Sequence, residues 1–152
     1  MTQMTPEERA LANVSACDDL ALLRKILNNA RGKSERVEKA AFSKIIRLSA
    51  KDENDPVARD CWEMIHAVEE LRRLERGKRV PMRRLRDKIA RDGEKISLEY
   101  LALHRSDGFQ EVIDYGFPEL LAEKIVVKHG APTFSEAAVK AAEKRLNDAG
   151  IA

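Results

Sequence analysis

Aromatic side chains are scarce in this sequence. One Trp, two Tyr and four Phe make up 5% of 152 residues. Strands draw on aromatic and β-branched residues, so the shortage argues against a sheet protein. Only two cysteines occur, Cys17 and Cys61, and they are not spaced as metal ligands. That excludes a disulfide scaffold and a cysteine-rich zinc module. Both fall in stretches expected to be helical, and they read as buried thiols in a reducing cytoplasm. Apolar runs are a few residues long, far short of the roughly 20 that span a bilayer. The opening, Met1 to Glu8, is polar and soon acidic, without the apolar stretch of a secretory signal. A cytoplasmic protein with no membrane partner is the expectation. Glycine-rich phosphate loops of the G-x-G-x-x-G or G-x-x-x-x-G-K type are missing as well.

What is present favours helix. Hydrophobic residues are 43% of the chain and charged residues 36%, well above the usual quarter for the latter. Leu, Ala, Glu, Lys and Arg are strong helix formers. A chain of this length buries roughly two-thirds of its unfolded surface, enough to fold without a disulfide or structural metal. The expected architecture is all-α. It is a single compact helical domain over 1–152 with about seven or eight helices, longer in the N-terminal half and shorter in the C-terminal half.

Capping chemistry marks the boundaries. Thr5-Pro6-Glu7-Glu8 offers an N-cap, proline at the first helical position and glutamate at the third. Ser15, with Asp18 after it, opens a second helix with Leu20, Leu23, Ile26, Leu27 and Ala30 at helical spacing. Gly32 suits a left-handed terminus. Ser34 caps a third helix through Val37, Ala41, Ile45 and Leu48. Asp55-Pro56 starts a long fourth helix over 56–76, with Val57, Cys61, Met64, Ile65, Val68 and Leu71 inward, and Gly77 breaks it. Gly77 to Val80 is the linker candidate. Pro81 opens a shorter helix, Met82 to Arg91, on Met82, Leu85 and Ile89. After a turn at Asp92-Gly93, Ser97 begins another.

The rest reads as short elements over 107–115, 118–129 and 135–149, with Gly-Phe pairs at Gly108 and Gly116. Ile125-Val126-Val127 is the one β-like run, and it is read as buried helix for want of a partner strand. Ser135 caps the last helix, Phe134 can staple onto Val139, and Ile151 can fold back on Leu146 after Gly150. The expected core is Leu23, Ile26, Leu27, Ile45, Val57, Cys61, Ile65, Val68, Leu120, Ile125, Val139 and Leu146.

One segment departs from an ordinary helical domain. Between Arg72 and Arg91 stand ten cations: Arg72, Arg73, Arg76, Lys78, Arg79, Arg83, Arg84, Arg86, Lys88 and Arg91. Only Glu75 and Asp87 oppose them, so twenty residues carry +8. The whole chain carries +2, which leaves −6 elsewhere. Eight of the ten are arginine, whose planar fork binds phosphate and guanine edges bidentately. Arg83 and Arg84 fall in the first turn of a helix, where the dipole disfavours cations and favours an anion. Arg86 and Lys88 point to other sides of that helix, so at least one is free to pair with an acid of the chain.

The segment is therefore expected to be a basic patch that contacts phosphates through Arg76, Lys78, Arg79, Arg83, Arg84, Arg86, Lys88 and Arg91. The chain reads as a nucleic-acid-binding accessory or regulatory protein, with DNA preferred to RNA as the partner. Two alternatives stand beside it: an adaptor for an acidic protein partner, and a helical nuclease. A charge run is also often just a solvated face. A helix-turn-helix over Met82–His104 would put the charge on the first helix, opposite to the usual arrangement, with Arg105 the one cation near the second. A homodimer is admitted, but no heptad seam specifies one.

Catalytic signatures do not emerge. Glu63-Met64-Ile65-His66 is an E-x-x-H pair with Glu70 one turn on, but no second such pair exists to complete a di-metal cage. A surface ion-pair cluster is the expectation there. The three histidines, His66, His104 and His129, form no H-x-x-x-H. No acid is followed two residues later by lysine, the arrangement common on nuclease strands. No metal, cofactor or catalytic residue is assigned, and a non-enzymatic factor is the reading preferred.

Overall fold

The computed structural model describes residues 3–104 and 108–151. Among these residues there is no strand. Nine α-helices and one 3-10 turn account for the regular structure: α1 (Pro6–Ala16), α2 (Leu20–Ala30), α3 (Glu35–Ser49), α4 (Pro56–Arg76), α5 (Arg83–Asp92), α6 (Glu94–Leu103), α7 (Phe109–Tyr115), the 3-10 turn Pro118–Leu120, α8 (Ala122–His129) and α9 (Glu136–Asp148). The all-α class is as expected. The longest helices, α3 and α4, hold the middle of the chain at 15 and 21 residues. Nine helices stand among the described residues, where about seven or eight were expected. No described helix is long and apolar enough to cross a membrane.

The chain divides into two compact units, Met1–Asp52 and Glu53–Ala152. The division falls at the polar stretch before Asp55. Gly77 to Val80, the linker candidate, lies inside the second unit and joins α4 to α5.

In the first unit α1 and α2 both pack on α3. Leu23, Leu27, Val37, Ala41, Phe42, Ile45 and Ile46 are its core. Ile26 and Leu48 are only half-buried. Thr5 caps α1 by accepting from Glu8 N–H at 3.1 Å, and Ser34 caps α3 by accepting from Val37 N–H at 3.3 Å. The cap of α2 is Asp19, which accepts from Leu22 N–H at 3.2 Å, rather than Ser15. Ser15 lies within α1, which runs one residue past it. Cys17, at the end of α1, is half-buried, so one of the two expected buried thiols is not.

In the second unit α4 is the central element. It touches α6, α7, α8 and the 3-10 turn, while α8 and α9 pack on each other and on α6. Asp55 accepts from Ala58 N–H at 2.9 Å, and Gly77 takes the left-handed conformation at φ 73°, so the helix spans 56–76 as its sequence predicts. All six residues of its expected inward stripe are buried. Leu98, Ile125, Val126, Phe134, Ala138 and Ala142 complete the core. Leu120 and Val139 are only partly covered, and Leu121 is buried where Leu120 was expected. The Ile125–Val127 run is helical, within α8.

Ser97 does not open α6. It lies a turn inside and donates its hydroxyl to Gly93 O at 2.7 Å. Because α5 and α6 are separated by Gly93 alone, the joint lacks the three- or four-residue turn of a helix-turn-helix. Arg105 and Asp107 lie outside the described residues.

The two Gly-Phe pairs do different things. Gly116 ends α7 in the left-handed conformation at φ 94°. Gly108 has an ordinary φ, but a Cβ there would come within 2.6 Å of Val68 Cγ2. It is the close approach to α4 that calls for glycine. The last helix closes as expected. Ser135 accepts from Ala138 N–H, Ile151 N–H donates to Leu146 O and Gly150 N–H to Asn147 O, the paired bonds of a Schellman closure.

Candidate nucleic-acid interface

The ten cations of 72–91 meet different fates. Four are engaged within the chain. Arg72 lies 3.6 Å from Glu111, and Arg73 lies 3.6 Å from Glu70. Arg86 donates from Nε to Glu69 Oε2 at 2.7 Å and from its terminal nitrogen to Oε1 at 2.8 Å. Lys88 donates to Asp92 at 3.1 Å and sits 4.6 Å from the centre of the Tyr100 ring. At least one of Arg86 and Lys88 was expected to pair with an acid, and both do. The other six, Arg76, Lys78, Arg79, Arg83, Arg84 and Arg91, are exposed. None of the six has an ion-pair partner among the described residues.

Glu69 organises the corner. It is 8% exposed on α4 and accepts Met82 N–H at 2.8 Å as well as both Arg86 bonds. A carboxylate from one helix thus stands at the N-terminus of the next and takes a donor that the helix itself leaves unpaired. Burial pushes the Glu69 carboxyl up, but the hydrogen bonds from Arg86 and Met82 and the charges of Arg86 and His66 outweigh it. The group is held below the usual glutamate value. The same bonds raise Arg86 above the usual arginine value against the effect of its partial burial. The Arg86 guanidinium also lies 5.2 Å from the Trp62 ring centre, within cation–π reach.

Why α5 forms at all is a question of magnitudes. Two arginines in its first turn oppose the helix dipole by about 0.3–1 kcal/mol each. Its N-cap residue, Met82, has no capping side chain and no acid of α5 stands in that turn, so the Glu69 carboxylate from α4 is the anion at its start. Against this, Leu85 and Ile89 are both buried, at about 1.5–3 kcal/mol each. Burial wins, and the cations stay outside. At 100° per residue Arg83, Arg84, Asp87 and Arg91 share the exposed arc of α5, opposite Leu85 and Ile89. Before it, residues 76–84 hold five cations, Arg76, Lys78, Arg79, Arg83 and Arg84, and no acid.

Sequence reasoning missed the buried acids. Glu69, Glu70 and Glu123 are 8%, 4% and 0% exposed. Glu70 is therefore not part of a surface cluster with Glu63 and His66, because α4 is covered on more than one side. Glu69 had a usable signal: it stands seven residues after Trp62, two turns along one face, just ahead of an arginine-rich stretch. Glu123 is tied by Arg145, which also donates to Leu101 O at 3.0 Å and so joins α6, α8 and α9.

Asp60 Oδ2 lies 2.7 Å from His129 Nε2 and 2.8 Å from Lys128 Nζ. Its neighbour Cys61 is fully buried, and burial, with Glu94, Glu53 and Asp60 nearby, pushes the thiol up to about 12. Among the described residues no group of three or more His, Cys, Asp or Glu side chains is placed to hold a metal ion. No protein-family model, curated protein or solved structure matches this chain.

Proposed function

We propose that this chain is a nucleic-acid-binding accessory protein that holds phosphates through Arg76, Lys78, Arg79, Arg83, Arg84 and Arg91, with duplex DNA the expected ligand. The observation that carries the reading is the 76–84 run: five exposed cations, no acid, and no ion-pair partner among the described residues. Like charges at this density repel one another, and a bound polyanion relieves that repulsion. Glu69 supports the reading in a second way. By engaging Met82 N–H and Arg86, it fixes the start of α5, with Arg83 and Arg84 exposed in the first turn. Arg86 is a positioning residue here, and Lys88 stands against Tyr100.

Binding of this kind is dominated by counterion release. Log affinity falls linearly with log salt, by about 0.9 for each duplex phosphate neutralised. Six contacts would give a slope near −5 by that rule. The test is fluorescence anisotropy of a labelled duplex and the corresponding single strand across a salt series. Arg83→Ala/Arg84→Ala should lower the slope by about two, whereas Lys140→Ala, an exposed cation on α9, should leave it unchanged. Wild-type affinity and slope in the double variant, with helicity intact by circular dichroism, would overturn the proposal.

A further inference from the structure

Helix α6 is apolar on more sides than its own unit covers. Leu98 and Ala102 are buried and Leu101 packs against the core. Ile96, Tyr100 and Leu103 are nevertheless 55%, 45% and 47% exposed. Their spacing, i, i+4 and i+7, places them on one stripe. Contiguous exposed apolar side chains, unlike scattered ones, mark an interaction site. Here three large side chains in a row are left in water.

The stripe has a charged border. Lys88 Nζ lies 4.6 Å from the Tyr100 ring centre, which puts the flank of α5 alongside it. On α5, Arg84 stands one turn before Lys88 and Arg91 one turn after; Lys88 is shared with Asp92 at 3.1 Å, so the two exposed arginines carry the net positive charge of this border. An apolar stripe bordered by a basic row complements a helix with an apolar stripe bordered by acids. A single-stranded nucleic acid fits less well. The Tyr100 ring is already engaged by His104, stacked at 4.0 Å, and by Lys88, so a base would have to displace one of them. Ile96 and Leu103 offer no ring to stack on. We propose that the Ile96–Tyr100–Leu103 stripe docks an acidic amphipathic helix of a protein partner.

The proposal does not rest on phosphate binding, and its test separates the two. The probe is a labelled peptide of about 18 residues with leucines at i, i+4, i+7 and i+11 and glutamates flanking them. The wild-type chain should bind it saturably. Ile96→Ser/Leu103→Ser should weaken binding at least about tenfold, since each side chain would lose a buried contact. A peptide of the same composition with scrambled order should not saturate. The double variant removes no cation, so its duplex affinity should stay at the wild-type value. Both positions are exposed, so its unfolding midpoint, read from Trp62 fluorescence, should stay put. Lack of saturable binding, or equal binding by the double variant or of the scrambled peptide, would overturn the proposal. Sedimentation showing self-association that the double variant abolishes would assign the stripe to a second copy instead. Shifts of the Ile96 and Leu103 methyl resonances by oligothymidylate would assign it to single-stranded nucleic acid.

Discussion

Replacing Glu69 removes the acceptor that ties the start of α5 to α4. Three hydrogen bonds converge on its carboxylate, from Met82 N–H at 2.8 Å and from Arg86 at 2.7 and 2.8 Å. A hydrogen bond to a charged group contributes about 1.5–3 kcal/mol net, but bonds that share one acceptor do not add. The Arg86 side chain keeps 28% exposure, so water screens part of the ion pair. Glu69→Gln, which keeps one acceptor oxygen and loses the charge, should cost about 2 kcal/mol. Glu69→Ala should cost about 3 kcal/mol, the lower end for breaking one side of a buried pair. The effect has a pH signature. The folded carboxyl titrates below its ordinary value of 4.5. Its stabilisation is therefore fully present above about pH 4.5 and is lost as pH falls through the lower, folded value. The gap between wild type and Glu69→Gln should narrow as pH falls below about 4.5. Urea unfolding followed at Trp62 measures both effects, because Trp62 is the one tryptophan and lies beside Arg86. A Gln variant within about 0.5 kcal/mol of wild type at pH 7, the range of an ordinary surface substitution, would refute the reasoning. So would a gap that stays constant down to pH 3.

Gly108→Ala places a methyl 2.6 Å from Val68 Cγ2 and should cost about 1–3 kcal/mol by overpacking, with Val68→Ala in the same chain recovering part of the loss. Gly77→Ala meets no atom within 4 Å, so its cost should come from the left-handed backbone alone, about 1–2 kcal/mol in the same urea assay. A thiol reagent at pH 8 should modify one cysteine per folded chain, Cys17; Cys61, buried with its thiol pushed up to about 12, should react only on unfolding.

Much of the helical framework was legible because helix ends are written in local chemistry. Asp55-Pro56 and Gly77 bound α4 within the residues that the sequence indicates, and Ser135 with Gly150-Ile151 does the same for α9. Legibility failed where two polar residues competed. Ser15 and Asp19 both suit an N-cap, and only the run-on of α1 decides for Asp19. Ser97 looked like a cap and is an interior residue bonded back to Gly93 O, because Gly93 alone serves both helices. Burial of Glu69, Glu70 and Glu123 was hidden for a tertiary reason. Each lies on a helix whose second face is covered by neighbours that no single-helix periodicity reveals. Of the candidate site, the charge run was plain from the sequence, and so was the expectation that Arg86 or Lys88 would pair with an acid of the chain. Which cations stay exposed depended on where Glu69 and Asp92 stand.

The proposed phosphate binding divides labour among neighbouring arginines, and arginine side-chain NMR reads it directly. The Nε–Hε resonances of the labelled chain can be followed while a short DNA duplex is titrated in at low salt. Arg76, Arg79, Arg83, Arg84 and Arg91 should shift as phosphates engage them. Arg86, with Nε 2.7 Å from Glu69, should hold its position. Exposed arginines that stay still while the duplex binds, or an Arg86 that moves with them, would contradict the account.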